Sequence, residues 1–125
     1  MSITVEGIVT DGNKLGRRIG FPTANIRVGE ELETANGVYA ARVELDGRSY
    51  GAVANLGTKP TVSGNAPRML EAHIFDFDGN LYGRSIRVTL GEFIRPEERF
   101  RSMDELRTRI EEDSQKAKEI LKTKI

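Results

Sequence analysis

Asp46-Gly47 stands between two apolar runs, Val38-Tyr39-Ala40-Ala41-Arg42-Val43-Glu44-Leu45 and Tyr50-Gly51-Ala52-Val53-Ala54-Asn55-Leu56. An Asp-Gly pair accepts the positive φ angles of a two-residue hairpin, so the two runs are expected to pair antiparallel. Ile3 to Val9 alternates apolar and polar residues and reads as an earlier strand. Leu70 to Phe75 and Leu81 to Leu90 flank Asp78-Gly79-Asn80, which predicts a second hairpin after the loop from Gly57 to Met69. Short strands joined by glycine turns point to a mainly β fold that closes into a barrel.

Near Pro96 the pattern changes. Ser102 precedes Glu105 by the spacing at which a serine side chain and a glutamate cap a helix start reciprocally. Met103, Leu106, Ile110, Ala117, Ile120 and Leu121 then recur at three- and four-residue intervals, one apolar stripe of a helix over about 102–122 that packs on the barrel of about 1–95. Asp104 and Glu105 at its start, with Lys122 and Lys124 at its end, complement the helix dipole. Barrel and helix make one domain, 1–125.

The 19 Lys and Arg residues balance 19 Asp and Glu, so no net field draws the chain to nucleic acid or an anionic membrane, and phosphate affinity has to be local. There is no cysteine, and the single histidine, His73, makes no zinc site alone. The sequence carries no long apolar run and no basic n-region, so the expected address is cytoplasmic, without a membrane partner.

Four segments have the residue types that chemistry requires. Gly12-Asn13-Lys14-Leu15-Gly16-Arg17-Arg18-Ile19-Gly20 offers glycines that let backbone amides approach a phosphate and three cations to neutralise it. It is no Walker P-loop, since Phe21-Pro22 forbids an immediate helix; a solvated surface loop is the plainer reading. Thr23 and Asn25 alternate in an extended segment and share a face, where a hydroxyl and an amide oxygen suit Mg²⁺, though turn chemistry is the plainer reading of these residues alone. Glu71, His73 and Phe75 occupy one face of their strand, with Ala72 and Ile74 on the other. Glu71 suits a carboxylate that orients an alcohol and accepts its proton in phosphoryl transfer; His73 reads as a structural histidine. Arg95, in Phe93-Ile94-Arg95-Pro96-Glu97-Glu98-Arg99-Phe100, suits a planar ligand or an ion pair with Glu97, Glu98 or a helix carboxylate.

In this order the segments resemble the riboflavin kinase family, which also forms the C-terminal half of bacterial bifunctional FAD synthetases. Gly20-Phe21-Pro22-Thr23-Ala24-Asn25 is similar to its G-[FY]-P-T-A-N signature. Asn55-Leu56-Gly57-Thr58-Lys59-Pro60-Thr61, Glu71-Ala72-His73, Leu81-Tyr82-Gly83 and Arg95-Pro96-Glu97 with Phe100 resemble its later motifs. Val62 stands where an aromatic is common and Lys59 where arginine is frequent.

The resemblance implies a six-stranded antiparallel Greek-key barrel with a C-terminal helix, and transfer of the ATP γ-phosphate to the ribityl 5′-hydroxyl of riboflavin, giving FMN. It implies Glu71 as catalytic base, Thr23 and Asn25 as Mg²⁺ and phosphate ligands, and a nucleotide site of Gly12, Lys14, Gly16 and Arg17 with Thr23 and Asn25. Arg95 and Glu98 would line the flavin. No nucleotidyltransferase sequence accompanies these motifs, so FMN and not FAD is the expected product. The chain is expected to act as a monomer, fused to or associated with an FMN adenylyltransferase domain in other contexts. Two other readings stay open: a flavin- or nucleotide-binding barrel without turnover, and a barrel that binds single-stranded nucleic acid. The latter would want aromatic platforms, and only 6% of the residues are aromatic.

Overall fold

The structure, a computed structural model, describes residues 3–10, 23–29, 32–58, 68–77 and 79–123. Six strands form one antiparallel sheet: β1 (Ile3–Ile8), β2 (Ala24–Val28), β3 (Gly37–Leu45), β4 (Arg48–Thr58), β5 (Arg68–Ile74) and β6 (Ser85–Arg95). A single helix among the described residues, α1 (Met103–Thr123), follows them.

The strand order is β1-β6-β3-β4-β5-β2. The β3-β4-β5 meander is thus flanked by β2 beside β5 and by β6 beside β3, a Greek-key connection. The two ends of this order meet: Thr10 N–H donates to Asn25 O at 2.8 Å, so the barrel is nearly closed. Closure removes the exposed edges that an open six-stranded sheet would present.

β3 and β4 pair from Gly37↔Leu56 to Leu45↔Arg48 around Asp46-Gly47. Asp46 has φ 51° and Gly47 φ 78°, the two positive angles that such a hairpin demands. The Asp46 carboxylate also accepts from Arg84, whose guanidinium this bond holds above its ordinary pKa.

The second hairpin does not form. β5 lies between β4 and β2 while β6 lies between β1 and β3, so the residues around Gly79 join strands that are not neighbours. Phe75 N–H instead donates to Gly51 O at 2.8 Å, and Asp76 turns the chain with φ 56°. Leu81, expected in a strand, is buried in the core ahead of a turn in which Gly83 has φ 82°. The connection is therefore a crossing over one end of the barrel, anchored by Leu81. Pairing of β4 with β5 also continues to Thr58↔Arg68, so strand replaces the ends of the expected Gly57–Met69 loop.

Period-two alternation sorts the strand residues into two layers. Ile26, Val43, Leu56, Leu70, Ile86 and Val88 fill the barrel interior and are almost wholly buried. Each such side chain contributes about 1.5–3 kcal/mol by leaving water. Outside the barrel, Val38, Ala40, Val53 and Phe75 pack on Ala117, with Ile120 and Leu121 beside them. Ser102 Oγ accepts from Glu105 N–H at 3.1 Å at the start of α1, and Arg42 donates to Leu121 O at 3.4 Å near its end.

Candidate functional site

Directly opposed residues in antiparallel strands point to the same side of a sheet. In β5, Leu70, Ala72 and Ile74 face the core, so Glu71 and His73 face outward. Glu71 is opposed by Asn25 of β2 on one side and by Asn55 of β4 on the other. Asn55 is in turn opposed by Val38 of β3, and Val38 by Arg95 of β6. One transverse row thus carries Asn25, Glu71, Asn55, Val38 and Arg95 across the outer face. His73 follows in the next row, opposite Val53 and edge-to-face with Phe75 at 5.7 Å.

The C-terminal half of α1 covers this face tightly, with Leu121 and Phe75 over Gly51. Toward its N-terminus the cover lifts and leaves a cleft of about 590 Å³. The strand side of the cleft presents Thr23, Asn55, Glu71 and His73 beside Val38 and Val53. Its other side is built from Glu97, Glu98, Phe100, Leu106, Ile110 and Asp113. A cleft of this size, with apolar surface between polar and charged groups on both sides, suits a small organic ligand.

Beside Glu71, on β2 and just outside the lining of the cleft, stands a buried acceptor. Asn25 is buried, and its Oδ1 has no hydrogen-bond partner among the described residues. An uncompensated buried amide oxygen costs about 1–3 kcal/mol. The cost is removed when a donor or cation reaches it, and the hydroxyl of Thr23 and the carboxylate of Glu71 belong to the same neighbourhood. The two neutral oxygens of Thr23 and Asn25 suit a Mg²⁺ that keeps waters and phosphate oxygens as its remaining ligands.

On the opposite side Arg95 is held firmly. Its Nε donates to Asp113 Oδ1 at 2.9 Å and to Oδ2 at 3.2 Å, and its NH2 donates to Oδ2 at 2.7 Å. NH1 donates to Pro96 O at 3.1 Å, and the guanidinium lies 5.7 Å from the centre of the Phe100 ring. Glu98 accepts from Arg109 at 2.9 Å. The Glu97 carboxylate rests on Gly57, where a Cβ would collide with it.

Of the expected site residues, the fold gathers Thr23, Glu71, Arg95 and Glu98 around one cleft and sets Asn25 across from Glu71. Gly12, Lys14, Gly16 and Arg17 lie outside the described residues, as do Lys59 and Val62. Asp113 received no role from the sequence. Its signal is a gap: the apolar stripe steps from Ile110 to Ala117, and the missing positions hold the buried Asp113 and Ser114.

Comparison with known proteins agrees with this geometry. The family model for riboflavin kinase (flavokinase) matches residues 1–121. The bifunctional riboflavin kinase/FMN adenylyltransferase of Haemophilus influenzae is 47% identical over 115 residues, covering 91% of this chain and 37% of that protein. Its Escherichia coli K12 counterpart is 45% identical over 116 residues, covering 92% and 37%. The chain thus spans little more than a third of the length of these relatives. Among solved structures, the macrolide-efflux protein from Streptococcus pneumoniae superimposes with a TM-score of 0.79 at 35% identity, covering 88% of this chain and 36% of that one. Riboflavin kinase from Trypanosoma brucei superimposes with a TM-score of 0.66 at 22% identity over 97% of this chain and 80% of that one, a likeness of fold. No helix of the described residues is long and apolar enough to cross a membrane.

Proposed function

The chain belongs to the riboflavin kinase family, and from that premise we propose that it transfers the γ-phosphate of ATP to the ribityl 5′-hydroxyl of riboflavin, giving FMN and ADP. The observation that carries the reading is the outward Glu71 in the cleft, opposed by Asn25, whose buried side-chain oxygen has no partner among the described residues. Glu71 orients the ribityl hydroxyl and accepts its proton. The hydroxyl oxygen then bonds to the γ-phosphorus as the bond from that phosphorus to the bridging oxygen breaks, and ADP departs with the electron pair. Little else is asked of the protein, because phosphoryl transfer depends mainly on alignment and on neutralising the charge of the phosphates.

Thr23 and Asn25 would hold Mg²⁺, which would supply positive charge to neutralise the phosphates. The fit rests on the orphaned Asn25 Oδ1 and on the hydroxyl of Thr23 beside it in the fold. Gly12, Lys14, Gly16 and Arg17 are proposed to cover the nucleotide with backbone amides and cations. The flavin ring lies against Val38, Val53, Leu106, Ile110 and Phe100, a set that matches its flat apolar body. Arg95 and Glu98 border it, Arg95 with its Nε and one N–H of each terminal nitrogen directed to Asp113 and Pro96. The reaction is placed in the cytoplasm, where ATP is supplied.

The purified chain, incubated with riboflavin, ATP and Mg²⁺ and resolved by chromatography, is expected to yield FMN and ADP in equal amounts. Recovery of unchanged riboflavin, with either substrate still bound, would turn the reading into that of a binding module.

A further inference from the structure

Asp113 interrupts an apolar helix face at the edge of the cleft, yet it is buried and its carboxylate takes three hydrogen bonds from one guanidinium. We infer that Asp113 is a positioning residue for the flavin substrate: acting through Arg95, it fixes the segment 96–100 that walls the cleft. The inference rests on the proposed riboflavin kinase reading.

The argument begins with what Arg95 joins. It is the last residue of β6, so its backbone belongs to the barrel. Its Nε and NH2 edge belongs to α1 through Asp113, with side-chain exposures of 13% and 6%. Its remaining edge belongs to the wall, through Pro96 O, and its plane lies toward the Phe100 ring. One rigid planar group therefore ties three elements together at the place where the cleft opens. Arginine suits this because its fork matches a carboxylate in both distance and plane, which a lysine ammonium does not.

Stability alone is a poor account of the pair. Taking both charges out of water costs about what their attraction returns, and well-packed apolar replacements are commonly as stable or more so. Leucine at position 113 would continue the stripe from Ile110 to Ala117 without a break. What an apolar pair cannot supply is direction. Two parallel hydrogen bonds fix the guanidinium plane, and through Pro96 and Phe100 they fix the wall on which the ring rests. Glu71 stands on the strand side of the cleft and has no part in this bracket, so the effect belongs to flavin binding and not to proton transfer.

The test compares wild type with Asp113→Asn, Arg95→Lys and the double variant Arg95→Met/Asp113→Leu. Asp113→Asn is expected to raise the riboflavin KM roughly tenfold, a misplacement effect, while the ATP KM and kcat at saturating riboflavin stay within about threefold; Arg95→Lys, which also alters a residue bordering the flavin, is expected to raise the riboflavin KM at least as much. The double variant is expected to recover the wild-type melting temperature while its riboflavin KM stays raised. A double variant that recovers both would overturn the inference and leave a merely structural pair. So would single variants that raise both KM values equally or lower kcat alone. Quenching of riboflavin fluorescence gives the dissociation constant without turnover. A wild type that binds riboflavin but makes no FMN would therefore sink the kinase reading alone, and equal riboflavin affinity across the variants would sink this one.

Discussion

Glu71 faces the cleft because Leu70 and Ala72, its neighbours in β5, are drawn into the barrel. That orientation was legible in the sequence, since period-two alternation is local. The environment of Asn25 was not. Its backbone carbonyl accepts from Thr10, just past the end of β1, a contact between residues 15 positions apart that no spacing rule encodes. Glu71→Gln keeps the shape of the side chain and removes its capacity to accept a proton, so turnover should fall by about 10²–10⁴-fold with MgADP binding retained. Steady-state rates beside a nucleotide titration check this. Thr23→Val with Asn25→Leu removes the neutral oxygens instead. It should weaken nucleotide binding in the presence of Mg²⁺ while leaving metal-free binding nearly unchanged; an unaltered metal dependence in calorimetry would count against the ligand roles. Thermal stability should fall little, because the change deletes an unsatisfied buried acceptor.

At the scale of elements, turns with strong local chemistry were legible and crossings were not. Asp46-Gly47 forms its hairpin because two consecutive positive φ angles suffice to specify it. Asp78-Gly79-Asn80 carries the same residue types, but the partner of β6 is chosen by the barrel, where β3 and β1 present their free edges. The helix start was readable from Ser102 and Glu105, and the serine half of that cap is formed. Its removal in Ser102→Ala should cost about 1 kcal/mol, a drop of a few degrees in thermal unfolding. A melting temperature equal to wild type would show that the adjoining loop, not the cap, defines the start of α1. The middle of the helix was misleading in one respect, because a carboxylate within an apolar face is buried only when a distant residue supplies its partner, here Arg95.

For the molecule as a whole, the near-closed barrel and α1 set the strand-borne Thr23, Asn55, Glu71 and His73 across a cleft from Phe100, Leu106 and Ile110 with Glu97 and Glu98 beside them, an arrangement that suits the proposed reaction between a charged nucleotide and a flat apolar substrate. The balanced charge confines phosphate affinity to the site. Relatives of which this chain matches 37% are named for two activities, riboflavin kinase and FMN adenylyltransferase, of which only the first is proposed for this chain. With FMN and ATP as substrates the chain should form no FAD; chromatographic detection of FAD would contradict this. The most direct test of the account is riboflavin turnover with MgATP by wild type beside Glu71→Gln, both first shown to bind MgADP. The account predicts FMN from the wild type and at most about one hundredth of that rate from the variant. Equal rates would contradict the assignment of Glu71, and with it the account of how this cleft moves a phosphate.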